Sequence, residues 1–480
     1  MQSHTILLIA RQFWMNTFKP RAIYLIMLLM ALMLAYAAYS GWKHYTTQND
    51  IRTHYQQVAR ESWENNPDKH PHRMAHYGSF AFRLKPPLSL FDFGLESFTG
   101  NAVFLESHKQ NTLNFSEASF STGLLRFGEI SMAMLLQILL PLIIFFLGFT
   151  AVATERENGT LKILLIQGAS WKELLLGKTL GLMALALLFF LPVAVSVLLL
   201  FTLTDDLVLT SDVGGRYAGI IAAYLLFFLV ISIITVLIST FSISSKDALV
   251  RLLAIWLFLA ILLPRTTQAL GNYFYPSPSK VEFEAALEED LLKEGDSHNP
   301  DDSHFKALKD SLLQTHQVSS VEELPFNYSG FVMREGERMS AHIYDRHLQK
   351  LLQTYQQQNN FTRLTAFINP FVAVKGISMA LAGTDFESYA DFQRQSEAYR
   401  YQLAQQMNEL QMEYISNTQA HDEPQVISRD HWKEFPDFQH QFITINRALR
   451  SETLSIIALL VWSVVAIVLL LTLSQKAKAL

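Results

Sequence analysis

Six runs of apolar positions uninterrupted by Asp, Glu, Lys or Arg set the pattern of this chain: 22–40, 132–153, 179–202, 217–240, 252–264 extending toward Leu270, and 453–474. All but the fifth are at least 19 residues long. At about 1.5 Å per residue that length crosses a hydrocarbon core of ~30 Å, whereas a buried soluble helix usually has ~10 to 14 residues. The pattern predicts six transmembrane helices. The first run has a basic flank like a signal peptide, but it is longer than a normal apolar signal region and reads as an uncleaved span. Ahead of it, residues 3–18 put Ile6, Ile9, Ala10, Phe13, Trp14 and Phe18 on one side and Arg11, Gln12 and Asn16 on another, until Lys19-Pro20-Arg21 breaks the helix. This predicts an interfacial helix lying along one leaflet.

Two long polar segments interrupt the apolar runs. In the first, 42–66 reads as helix continuing outward, followed by an irregular stretch punctuated by Pro67, Pro71, Pro86 and Pro87. Alternation around Tyr77, Phe80, Phe82 and Leu84 predicts one strand. In the second, helices are predicted at 279–294, 301–318, 335–360, 361–382 and 385–417, with Asp301, Thr384 and Asp385 as caps. Phe367 to Leu381 carries only Lys375 as a charge, so that stretch either touches the membrane surface or lies deep within its domain.

Composition sharpens the class. Half of the 480 residues are hydrophobic, 17% are charged, the net charge is −5 and cysteine is absent. A cytosolic enzyme, a nucleic-acid binder, a disulfide scaffold and cysteine-ligated zinc are thereby excluded. Segments 1–21, 154–178, 241–251 and 475–480 together hold eleven Lys and Arg, whereas the short loop 203–216 sets Asp205, Asp206 and Asp212 against Arg216 alone. The positive-inside rule then places both termini in the cytoplasm and both long segments outside.

The expected fold is an all-α polytopic membrane protein: six transmembrane helices, an N-terminal interfacial helix, a small mixed α/β outer domain and a larger, mainly helical one. The divisions are 1–41 (interfacial helix and span 1), 42–131 (first outer domain), 132–271 (spans 2–5), 272–451 (second outer domain) and 452–480 (span 6 and cytoplasmic tail).

The most informative cytoplasmic segment is 155–178. Asn158 and Gly159 end one helix, Leu161 to Gln167 makes a short apolar helix, and Gly168 stops it. Ser170 with Glu173 forms a capping box that starts the third span. The apolar side chains of the short helix need a cover, which is either a groove on a soluble partner or the protein's own spans.

Glu-x-Glu-x-Gly-Thr-Leu at 155–161, followed by Ser-x-x-Glu-Leu-Leu-Leu-Gly-Lys at 170–178, resembles the coupling-helix region of the type-2 ABC exporter permeases. Pro86-Pro87-Leu88-Ser89-Leu90-Phe91-Asp92-Phe93-Gly94 and Met379-Ala380-Leu381-Ala382-Gly383-Thr384-Asp385 look like a branch with large outer domains between spans 1 and 2 and between spans 5 and 6. The resemblance implies a permease subunit in a bacterial inner membrane, paired with a second copy or a related permease. Its coupling helix, near 158–168, would dock into a separate ABC ATP-binding subunit that holds the ATP and magnesium. On that reading Glu155 and Glu157 make polar contacts to the ATPase, Gly159 turns the chain, and Leu161, Leu164 and Leu165 are apolar anchors. A possible extracytoplasmic protein and membrane lipids complete the partners; nucleic acid is not among them. Two rivals remain: mechanotransmission to an outer partner without transport, and a receptor or scaffold without any ATPase.

Other motifs carry less. Gly177-Lys178-Thr179 resembles the end of a phosphate-binding loop, but Lys172 stands where that loop needs a glycine, so no ATP site, cofactor or catalytic residue is expected in this chain. No predicted span has an ionisable carboxylate, lysine or arginine in its interior, which disfavours ion-coupled transport. His70, His72 and His76, near Asp68, form a metal-site candidate or a solvated loop. Pro141 and Pro192 are hinges or static bends within spans 2 and 3.

Overall fold

The computed structural model describes residues 3–111, 129–205, 207–295, 299, 302–418 and 425–476; Asp206 and Asp301 lie outside them. It is overwhelmingly helical. Six helices are long and apolar enough to cross a membrane: Arg21–Glu64, Met132–Glu157, Trp171–Leu203, Ser211–Phe241, Ser245–Phe274 and Thr453–Gln475, spans 1 to 6 in order. Helix α1 (Ser3–Thr17) precedes them and buries Ile6, Ile9 and Phe13 against span 3. Gly177 and Gly181 of span 3 permit this approach, because a Cβ on Gly177 would sit 2.7 Å from Ile9 Cβ and one on Gly181 2.6 Å from Phe13 Cδ1. Small residues spaced four apart let two helix backbones close together. Leu7, Leu8 and Met15 face outward from α1, as an interfacial position requires.

Span 1 does not stop at the bilayer. It continues as one helix of 44 residues, roughly 66 Å long, into the first inserted segment. There α2 (Pro71–Tyr77) and the antiparallel pair β1 (Ser79–Phe82) and β2 (Ala102–Leu105) pack beside it. The sequence pattern predicts a single strand; the second, Ala102–Leu105, is an apolar run without polar alternation to mark it. Ala81 is the buried residue of β1, while Phe80 sits on the other face, its ring 5.0 Å from Phe104 across the pair.

Two spans depart from regular α-helix just before a proline. The turns are widened at Leu135–Leu139 ahead of Pro141 and at Leu257–Leu262 ahead of Pro264. A π-type turn accommodates a proline ring that would otherwise meet the carbonyl one turn back. Span 2 also breaks near Phe149–Val152, where the Ser239 hydroxyl of span 4 accepts from the Val152 and Ala153 amides and donates to the Phe149 carbonyl. The broken backbone is thus satisfied within the bundle.

Between spans 2 and 3 lies α3 (Thr160–Ile166), and between spans 5 and 6 come α4 (Lys280–Glu294), α5 (Ser303–His316), α6 (Tyr328–Leu364), α7 (Pro370–Ala382) and α8 (Phe386–Tyr414). Three boundaries correct the sequence reading. Asp302, not Asp301, caps α5; α6 begins earlier, behind Asn327; and 361–382 is not one helix, because Asn369 and Pro370 restart it. Asp385 caps α8 as its position suggests. The nearly uncharged α7 is buried between spans 4 and 6, with Phe371 edge-on to Phe227 at 5.2 Å. It therefore enters the bundle rather than lying on a surface.

Candidate functional site

At one end of the bundle, α3 is formed by glycine at both limits: Gly159 has φ +72° and Gly168 φ +100°. Ser170 and Glu173 cap span 3 reciprocally. Glu155 accepts a hydrogen bond from Lys178 Nζ at 2.5 Å, and the Lys178 ammonium lies 5.2 Å from the centre of the Phe13 ring. One lysine thus links the α3 region, span 3 and α1. Glu157 is exposed and accepts from the Ser245 amide at 3.1 Å and its hydroxyl at 2.5 Å, tying the end of span 2, just before α3, to the start of span 5. Arg156 donates to the Ser242 carbonyl at 2.6 Å.

Of the apolar residues chosen from sequence, Leu161 is 1% exposed and anchors inward, and Leu164 and Leu165 are half-buried against the spans. The solvent-facing side chains are different ones. Ile163 is 54% exposed, Ile166 85%, and Ile243, in the turn before span 5, 82%. A seven-residue helix that is almost wholly apolar has no polar stripe to announce which side turns out, so sequence selects the helix but not its face.

A second constellation lies deep in the bundle. Ser378 of α7 donates to Asp92 Oδ2 at 2.5 Å and stands 3.2 Å from the Tyr224 hydroxyl; Gln137 Nε2 donates to that hydroxyl at 2.7 Å. All four residues are buried. Tyr224 is well inside span 4 and Gln137 inside the widened turn of span 2. The two motifs quoted for the outer-domain branch meet here: Leu95 N–H donates to the Thr384 carbonyl at 2.8 Å, Gly94 (φ +51°) lies against Thr384, and Gly383 against Pro86. The predicted apolar runs hold no carboxylate, lysine or arginine in their interiors, yet Asp92 reaches the bundle from a loop. Arg265, at the edge of the fifth apolar run, falls inside span 5 and is exposed.

Arg216, at the end of span 4 far from α3, holds α7 in place. Its guanidinium donates to the Ala380 and Leu381 carbonyls at 3.2 Å each and to the Ile443 carbonyl, while Asp212 pairs with its Nε at 2.6 Å. A cation at a helix C-terminus meets the negative end of the helix dipole.

The inserted segments carry buried ion clusters around Glu96 and Glu337. Glu96 is enclosed by Arg52, Arg83 and Lys85; burial alone would raise its pKa, but the three cations override this and hold it down to about 2. Glu337 is likewise held down to about 2, where burial is outweighed by the hydrogen bond from His108 and the Arg400 charge. His440 goes the other way for a base: burial, then Arg83, lowers it to about 4.

The histidines proposed from sequence separate. His70 Nδ1 accepts from the His72 amide and caps α2. His72 and His76 come together, and the third imidazole beside them is His108, which sequence proximity could not indicate.

Six membrane-crossing helices with their helical insertions define a multi-pass membrane protein. Residues 103–275 match the family described as ABC-2 family transporter protein, and residues 280–441 match a domain of unknown function, DUF3526. The match to the ABC-2 family, together with six membrane-crossing helices, supports a transmembrane ABC transporter subunit that carries an additional domain. No curated protein matches the chain.

Proposed function

We propose that the chain is the permease subunit of an ATP-driven exporter in a bacterial inner membrane, with α3 on the cytoplasmic side as the element that receives force from a separate ATP-binding subunit. The observation that carries this reading is the exposed apolar pair Ile163 and Ile166, held outward by a helix whose own seat is secured by Leu161 and by the Glu155–Lys178 pair. Large apolar side chains so exposed at the polar end of a bundle are the anchors a partner groove requires. Glu155, Glu157 and Gly159 brace and turn α3; Leu161, Leu164 and Leu165 seat it; Ile163, Ile166 and Ile243 meet the ATPase. ATP and magnesium belong to that partner.

Pairing with a second permease copy or a related permease is part of the same proposal. In the most apolar stretch of span 5 only 11% of residues are buried, against 67% in spans 2 and 4. That exposed span is the natural seam between two permeases. The basic residues flanking α3 favour a cytoplasmic position by the positive-inside rule, which puts both termini inside and both inserted segments outside. Purifying the tagged full chain from its own membranes tests the proposal: an ATP-binding subunit with magnesium-dependent ATPase activity should accompany it, and its absence would refute the reading.

Mechanotransmission is a second reading, favoured by the unbroken 44-residue helix that joins span 1 to the inserted segment. ATPase stimulation by a soluble outer protein, and not by candidate cargo, would select it over export.

A further inference from the structure

The histidine cluster belongs to neither α3 nor the bundle network. His72 and His76 lie one turn apart on α2, with their Nε2 atoms 3.2 Å from each other. His108 arrives from the loop after β2 with φ +62°, its ring 5.6 Å from that of His72 and 5.3 Å from that of His76. Each imidazole offers one ring nitrogen, and those nitrogens all lie within 4.8 Å of one another.

Zinc–imidazole bonds of about 2.0 to 2.1 Å in a tetrahedron set ligand nitrogens ~3.3 Å apart. The His72–His76 pair already has that separation, and small ring rotations bring His108 to it. Without an ion the same contact is a hydrogen bond between two rings. The orientation of His108 has a separate cause. Its backbone amide donates to Glu337 Oε2 at 3.0 Å and its Nδ1 lies 3.2 Å from the same oxygen. Glu337 is itself buried and paired with Arg400 at 2.7 Å. A carboxylate on Nδ1 fixes the tautomer that presents Nε2, the arrangement by which outer-sphere groups hold metal-ligating histidines.

We propose that His72, His76 and His108 bind one divalent transition-metal ion that favours imidazole, with zinc as the reference, and that Glu337 positions His108. Three nitrogens leave a fourth coordination position on the side of the exposed His76, available to water or to a ligand brought by another molecule. The ion would tie α2 to the loop after β2 within the first inserted segment, and Glu337 of α6 already holds that loop to the second. The proposal does not depend on the exporter reading.

The test is a competition titration of the detergent-purified, chelator-stripped full chain with zinc and a chromogenic chelator, alongside thermal melting. One zinc per chain with a raised melting temperature is expected. His76→Gln should weaken zinc at least 100-fold while leaving the metal-free melting temperature unchanged, and His108→Gln should weaken it as strongly. Exposed His54→Gln should bind as wild type. Equal zinc affinity in wild type, His76→Gln and His108→Gln, or no bound zinc in the wild type, would overturn the site.

Discussion

The α3 end and the far end of the bundle hold charge and apolar surface in opposite ways. Around α3, isoleucines face solvent and the ties are isolated residue pairs such as Lys178 with Glu155 and Ser245 with Glu157. At the far end, Glu96, Glu337 and Arg400 are buried, each with partners enough to match its charge. Unmatched apolar surface is a feature a partner can complete, whereas matched buried charge is costly to rearrange and keeps one geometry. The contrast suits a molecule that receives force at a docking face and delivers it through a stiff frame. Mutations should therefore cost stability at the far end and association at the α3 end.

The largest expected loss is Glu96→Ala, which leaves Arg52, Arg83 and Lys85 buried together without their anion. About 3 to 5 kcal/mol of stability should go, read from denaturant unfolding of the detergent-solubilised chain. Next is Gly181→Leu, whose side chain would displace Phe13 and lift α1 from span 3. A loss of roughly 1 to 3 kcal/mol is expected, with protease sensitivity appearing first at α1. Ser378→Ala removes the hydroxyl between Asp92 and Tyr224 and should cost about 1 to 2 kcal/mol by the same unfolding measurement.

Acid should act on the far end in two windows. His440 titrates near 4 when folded and near 6.5 when unfolded, so the unfolded chain binds the extra proton and stability falls as pH drops from 6.5 to 4. Glu96 and Glu337, held at about 2 against an ordinary 4.5, contribute stability above pH 4.5 that is lost as pH falls through 2. Melting temperature against pH should show both declines, and His440→Gln should flatten the first. An unchanged pH profile in His440→Gln would refute the His440 assignment.

How far the sequence carried this contrast depends on whether the deciding forces are local. Gly159, Gly168 and the Ser170–Glu173 box are read directly from the chain because positive φ and helix capping involve near neighbours. Five of the six spans follow from length and apolarity alone, while the fifth run is cut short by Arg265. Local pattern shows that Phe367 to Leu381 is uncharged, but not that α7 inserts between spans 4 and 6, because apolarity does not name its partner. The same limit separates Leu161, turned inward, from Ile163 and Ile166, turned out. His108 joins His72 and His76 through the β1–β2 pairing, and Asp92 meets Ser378 through a loop that enters the bundle; neither juxtaposition leaves a spacing in the sequence.

The smallest expected effect on stability accompanies the largest on function. Ile166→Asp alters only an exposed side chain, so melting should stay at the wild-type temperature while the ATP-binding subunit is lost from purified complexes. The native chain has no cysteine, which permits a cleaner measurement. A single cysteine at Ile166, treated with a short bifunctional thiol reagent in membranes containing the co-expressed ATPase, should cross-link to that subunit and resist an impermeant reagent added outside intact cells. Labelling from outside, or no adduct in membranes where the ATPase is present and active, would contradict the assignment of α3 as the point where force enters.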